Sequence, residues 1–194
     1  RGGRVPMLSG TELTVRDAGD VILLGRLEAI RALDDSFRPR LSADYHPGLC
    51  ELLDALMGRE IVAIAAHPYR PGKRLASCRT DELARFDAVE MNGKDAFLLP
   101  ETRAEVRRLA LRLGLALVGS SDSHLSPQLG VASTLLPAGE VTLEHVRSAI
   151  RARTTEVRLR PHGAAIVRSC RSYKRLAKAQ RDVAVGRRLA EAVA

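Results

Sequence analysis

The stretch "IVAIAAHPYRPG", residues 61–72, decides the fold. Six apolar residues, two of them isoleucine and one valine, run up to His67 and stop at Pro68, and a bounded run of that length is strand-sized rather than helical. Proline at 68 biases His67 toward an extended backbone, which limits where its imidazole points. Comparable runs recur at "VILLG" (21–25), "DAVEM" (87–91) and "LALVG" (115–119). Between them lie segments of helical spacing, Leu49, Leu52, Leu53 and Leu56, then Val106, Leu109, Ala110 and Leu113. Pro100 and Gly114 bracket the second of these with ordinary start and stop signals. Apolar strands alternating with amphipathic helices define an α/β chain whose parallel sheet or barrel is covered by helices. In such folds chemistry gathers at the carboxyl ends of the strands. The expected loops are 34–48 and 68–79.

A chain of 194 residues suits one core with a small appendage. Aromatic residues make up 3% and tryptophan is absent, so Leu, Val, Ile and Ala fill that core. Cys50, Cys78 and Cys170 are odd in number and far apart, a pattern of free thiols in a reducing compartment rather than of a disulfide framework or a cysteine zinc site. "IVAIAA" is the longest wholly apolar run and falls far short of a membrane span, and no charged-then-apolar segment opens the chain. The expectation is a soluble cytoplasmic protein with no membrane partner, for a chain whose first residue is Arg rather than Met.

Charge divides the chain. Residues 1–152 are balanced, and residues 153–194 supply the whole net charge of +8. We therefore treat 1–152 as the body and 153–194 as a basic helical tail. In the tail Arg168, Arg171, Arg175 and Lys178 recur at helical spacing beside an apolar stripe of Ile166, Cys170, Tyr173 and Ala177. Such a helix either turns a solvated face outward or offers cations to a nucleotide or a nucleic-acid backbone. The scarcity of aromatics argues against a base-stacking platform.

Four places could carry chemistry. His67 ends a strand, as a metal ligand would, or as a hydrogen-bonded structural histidine would. In "GSSDSH" (119–124), Asp122 and His124 stand two apart after a strand, which in an extended segment puts them on one side of the chain. A carboxylate beside an imidazole suits Zn, Mn or Fe, and a loop-capping Asp next to an unrelated His is the plain alternative. In "SGTELTVRDAGDVILLG" (9–25), Glu12 and Asp20 flank a turn around Asp17 to Gly19, so a hairpin brings both acids to one rim, unless they are ordinary turn and surface acids. In "DAVEMNGKD" (87–95), Glu90 and Asn92 close an apolar run, and a buried Glu90 needs a cation or a hydrogen-bond donor.

Taken in order, "GTEL", "AAHPYRPG", "DAVEMNGKD" and "GSSDSH" followed by "LG" resemble the PHP superfamily, the polymerase and histidinol phosphatase group of metal-dependent phosphoesterases, over about residues 5–136. The resemblance implies a distorted (β/α)7 barrel with two or three divalent ions, Zn, Mn or Fe, at the strand carboxyl ends, hydrolysing phosphate esters with a metal-activated water. Carried over residue by residue, Glu12 resembles the bridging carboxylate of the G-x-E motif, His67 the ligand of the H-P motif, and Asp122 and His124 the final D-x-H ligands. Asp20 stands where the family has His or another acid and is a further ligand candidate, while Glu90 and Asn92 resemble the E-x-N stretch that supports the site. Arg70 and Lys73, in the loop after His67, are candidates to hold the substrate phosphate.

The N-terminal end departs from the family pattern. The family opens with a strand ending in H-x-H and a further Asp and His before the Glu, and none of these is present; His46, His145 and His162 all follow Glu12. The expectation is therefore an N-terminally incomplete PHP-type domain that lacks its first one or two βα units, followed by a C-terminal basic helix. Two readings follow. One is a phosphoesterase acting on a phosphorylated small metabolite, a nucleotide or an oligonucleotide. The other is a degenerate, non-catalytic PHP-like module that binds nucleic acid or a protein through its tail. The choice of substrate, of metal and of oligomeric state is not written in the sequence.

Overall fold

The strand-sized runs pair side by side in the computed structural model, which describes residues 6–38 and 46–193, with side chains as far as Asp182. Strands β1 (Gly10–Val15), β2 (Gly19–Gly25), β3 (Ile61–Ala65), β4 (Ala88–Asn92) and β5 (Ala116–Ser120) form one sheet in that order. β3, β4 and β5 run parallel, and β2 is antiparallel to both β1 and β3. A second sheet pairs β6 (Ala132–Leu135) with β7 (Glu156–Leu159), which lies beyond Ala152. The α/β class holds, and among the described residues no sheet is closed, so the strands form an open sheet rather than a complete (β/α)7 barrel. The short turn after β1 has no room for the crossover that parallel strands need and makes the expected hairpin.

Helices α1 (Leu27–Phe37), α2 (Leu49–Leu56), α3 (Thr80–Leu83), α4 (Gly93–Leu98), α5 (Thr102–Leu113), α6 (Leu143–Arg151) and α7 (Gly163–Val193) complete the chain. The expected loop at 34–48 starts too early, since Ile30, Leu33 and Phe37 sit at helical spacing, are buried and carry α1 through Phe37. Residues 39–45 of that loop lie outside the described residues.

Alternation along the strands sorts side chains between two faces. Val21, Leu23, Ala63, Ala65, Val89 and Met91 pack with residues of α1, α2 and α5. Val62, Ile64, Ala88 and Val118 face the other way, against Val146 and Ile150 of α6. Register continues this second face into polar residues: Ile22 is opposite Glu12, Thr14 is opposite Asp20, and Glu90 and Asn92 follow Ala88 at intervals of two, beside Val118 and Ser120. One apolar face thus turns polar at the carboxyl ends of the parallel strands. α7 begins against α4, where Val167 packs with Phe97 and Val131, and from Arg171 to Asp182 its residues are exposed. No described helix is long and apolar enough to cross a membrane.

Candidate metal centre and its surroundings

β2 is antiparallel to β3, so the start of β2 lies beside the end of β3, and the Ala66 N–H donates to the Asp20 carbonyl at 3.2 Å. That contact brings Asp20 to His67. The imidazole Nε2 lies 3.2 Å from Glu12 Oε1 and 3.4 Å from Asp20 Oδ2. One ligand atom from each of Glu12, Asp20 and His67 falls within 4.8 Å of the others, a spacing that could hold a cation. His67 is buried, and Glu12 remains open to solvent.

Local preference did not place His67. Its φ of 30° is left-handed, not the extended conformation expected before a proline. Tertiary hydrogen bonds override that bias: its carbonyl accepts from Arg70 N at 3.0 Å, and its own N–H donates to Glu90 Oε2 at 2.6 Å. The imidazole Nδ1 is buried without a hydrogen-bond partner, so only Nε2 is engaged.

Both oxygens of Asp20 are taken. Thr14 Oγ1 donates to Oδ1 at 2.7 Å and Lys73 Nζ pairs with Oδ2 at 2.8 Å. Burial raises this carboxyl, yet the hydrogen bonds from Lys73 and Thr14 and the nearby positive charge outweigh it and hold Asp20 below its ordinary range. Glu90 moves the opposite way. Its side chain is buried, which pushes the carboxyl up, and the hydroxyl of Ser120, the charge of His67, the N–H of His67 and the amide of Asn92 only partly offset this.

Asp122 and His124 form a separate group. Arg70 bridges it, with Nε on Asp95 Oδ2 at 2.9 Å and Nη2 on Asp122 Oδ2 at 2.6 Å. Lys94 Nζ stands 3.8 Å from the same Asp122 oxygen. Burial raises the Asp122 carboxyl, but Arg70 and the charges of Lys94 and His124 bring it below its usual range. The expected extended D-x-H segment is absent, because Asp122 has φ 47°, a conformation Asp tolerates better than most residues. His124 is half exposed, and its Nδ1 lies 3.1 Å from the Asp122 carbonyl and 3.6 Å from Asp122 Oδ1. Gln128, buried, holds this loop by accepting from His124 N at 3.0 Å and Leu125 N at 3.1 Å.

The geometry thus brings Glu12, Asp20 and His67 together, with Lys73 against them. Asp122, His124 and Arg70 lie in a neighbouring group, and Glu90 and Asn92 lie beneath His67. Sequence reasoning passed over Asp95, Lys94, Thr14 and Ser120. The signal for Asp95 was available: Asn92 opens α4 as its N-cap, accepting from Asp95 N at 3.2 Å, and this fixes Asp95 in the first turn.

Residues 100–155 match the family model described as PHP-associated, and that match supports membership of the chain in the PHP superfamily. The matched segment contains Asp122 and His124 and ends before α7. No curated protein matches the chain. Among solved structures the chain is similar to PsfC from Pseudomonas syringae, at 25% identity and a TM-score of 0.66 over 86% of this chain. It spans 64% of the length of PsfC.

Proposed function

We propose that the chain carries a metal-dependent phosphoesterase centre that hydrolyses phosphate esters of a small metabolite, nucleotide or oligonucleotide. The observation that carries this reading is the convergence of Glu12, Asp20 and His67 within 4.8 Å at the polar end of the sheet. Two carboxylates and an imidazole form a mixed donor set that suits Zn, Mn or Fe. Glu12, Asp20 and His67 would hold one ion, and Asp122 and His124 would hold another. A bound divalent ion supplies Lewis acidity toward the phosphoryl group and acidifies water at neutral pH.

The chain's own side chains do the rest. Glu90 fixes the backbone of His67, and so the direction of its ring. Lys73 pairs with Asp20 and Arg70 with Asp122. Arg70, whose guanidinium suits two phosphate oxygens at once, and Lys73, which suits one, would hold the substrate phosphate beside these carboxylates. The open sheet is read as the later strands of a PHP-type (β/α)7 barrel, a reading supported by the family match and by the likeness to the longer PsfC.

The same ion pairs favour a second reading. If Lys73 and Arg70 permanently replace the ions, the domain is a degenerate, non-catalytic module. The deciding experiment combines elemental analysis of the purified chain with turnover of phosphomonoesters and phosphodiesters in Mn or Zn. Retained metal with turnover supports the enzyme. Absence of both supports the degenerate module.

A further inference from the structure

α7 does more than close the chain. Between it and the strand ends lies a cleft of about 940 Å³, and α7 lines it with Arg171, Lys174, Arg175, Lys178 and Arg181. The body contributes Arg70, Lys94 and His124, with Leu98 and Leu125 as apolar surface beside Val167 of α7. Asp95 is the one acid of this lining, and Arg70 already pairs with it. Among the described residues, the ion pair formed by these α7 cations is that of Arg181 with its neighbour Asp182.

Like charges three and four residues apart destabilise a helix. Five cations along one helical face, with so little acid near them, therefore imply an anion that offsets their repulsion. Shape narrows the choice. From Arg171 to Arg181 the helix rises about 15 Å at the usual rise per residue, so the cations form a row rather than a converging cage. A compact phosphorylated metabolite is gripped by a few convergent groups in a closed pocket. A row along an open cleft matches successive phosphates of an extended strand. Tyr173, exposed at the cleft, offers a single aromatic face, too little for a stacking platform.

We propose that this cleft binds single-stranded nucleic acid, with the backbone lying along α7 and one end reaching Arg70, Lys94 and His124. Binding is electrostatic and tolerant of sequence. That the bound end is the ester hydrolysed rests on the proposed function above; the binding itself needs no metal.

The test is fluorescence anisotropy of a short labelled single-stranded oligodeoxynucleotide of mixed sequence, with the whole chain, in EDTA, at stepped NaCl concentrations. Three proteins are compared: the unaltered chain, K174E/K178E, and R107E on the exposed face of α5 outside the cleft. The expected result is saturable binding whose logarithm falls linearly with that of salt. K174E/K178E weakens it more than about tenfold and flattens the slope by about 0.7 for each phosphate no longer neutralised, while R107E changes it less than about twofold. Circular dichroism confirms that α7 is intact, and K174Q/K178Q gives an intermediate loss. Undetectable binding at low salt, equal weakening by R107E, or binding to phosphatidylserine vesicles in place of the oligonucleotide overturns the proposal. Because the assay excludes metal, retained binding without any phosphoester turnover defeats the hydrolase reading alone, and absent binding with turnover defeats the cleft alone.

Discussion

Glu90 Oε2 accepts the backbone N–H of His67 at 2.6 Å, tying the end of β4 to the turn that follows β3. Its other oxygen accepts from the Ser120 hydroxyl and, at 3.3 Å, from the Asn92 amide. Every partner is a donor, so the buried group is useful as an acceptor on both sides. Glu90→Gln keeps the size but turns an amide NH2 toward one of those donors. We expect a loss of about 1–3 kcal/mol in urea unfolding, the cost of an unsatisfied buried polar group. Divalent-ion affinity should fall with it, because His67 loses its hold on φ 30°. Unchanged stability would show that Glu90 is not what positions His67.

Lys73 and any ion compete for the same oxygen of Asp20. The ammonium lies 2.8 Å from Oδ2, while Thr14 occupies Oδ1. Lys73→Gln removes the competing charge and keeps a polar side chain. Mn titrated calorimetrically should bind about tenfold more tightly, given that a hydrogen bond to a charged group contributes about 1.5–3 kcal/mol. Weaker binding in the variant would mean that Lys73 supports the centre rather than competing for it.

The two groups of ligand candidates separate in space, so their deletions should separate in effect. His67→Ala removes one of the three ligands of the Glu12, Asp20 and His67 group and should lower the tight step of the isotherm by at least about tenfold, a typical loss when a metal site is damaged. His124→Ala should leave that tight step in place and impair any second one. A tight step abolished equally in both variants would show that a single ion draws on all of these residues together.

How far the sequence discloses this molecule depends on whether a property is local. Bounded apolar runs placed β2 to β5, and the Asp17 to Gly19 turn placed the β1–β2 hairpin, because both are encoded within a few residues. Strand direction is not so encoded: an apolar strand reads alike whether its neighbour runs parallel or antiparallel, and β2 departs from an all-parallel order for that reason. His67 lay where a site histidine should, yet its backbone departs from what Pro68 favours, since Glu90 lies 23 residues away. The Arg70 bridge spans 25 residues to Asp95 and 52 to Asp122, and no spacing rule reaches that far. Asp20 is the instructive case: by motif a secondary candidate, by geometry a full member of the cluster.

Gly119 marks where the two sheets meet. A Cβ there would lie 2.8 Å from the Ser133 carbonyl oxygen, which is backbone and cannot swing aside. Thr134 fastens the same junction, accepting from Gly119 N at 2.9 Å and donating to Gly119 O at 3.0 Å. Gly119→Ala should cost about 1–3 kcal/mol, the usual penalty of overpacking, in chemical denaturation. A neutral result would show that β5 and β6 can shift apart to admit the methyl group without cost.

Acid should weaken the fold through Arg147, away from the candidate centre. This guanidinium is buried, and its Nη1 meets Glu60 at 3.1 Å and Glu144 at 3.3 Å. The hydrogen bond from Arg147, reinforced by its charge, holds the Glu60 carboxyl below the ordinary 4.5. A carboxyl lowered in the folded state contributes stability above its unfolded value and loses it as pH falls through the folded one. The melting temperature of the unaltered chain should therefore exceed that of Glu60→Gln at neutral pH, with the gap closing once pH drops below 4.5. Glu60 is well exposed, so added salt should narrow the neutral-pH gap as well. A gap that stayed constant from neutral to acid pH would locate the variant's effect in packing rather than in the charge on Glu60, and the buried Arg147 would then depend on Glu144 instead.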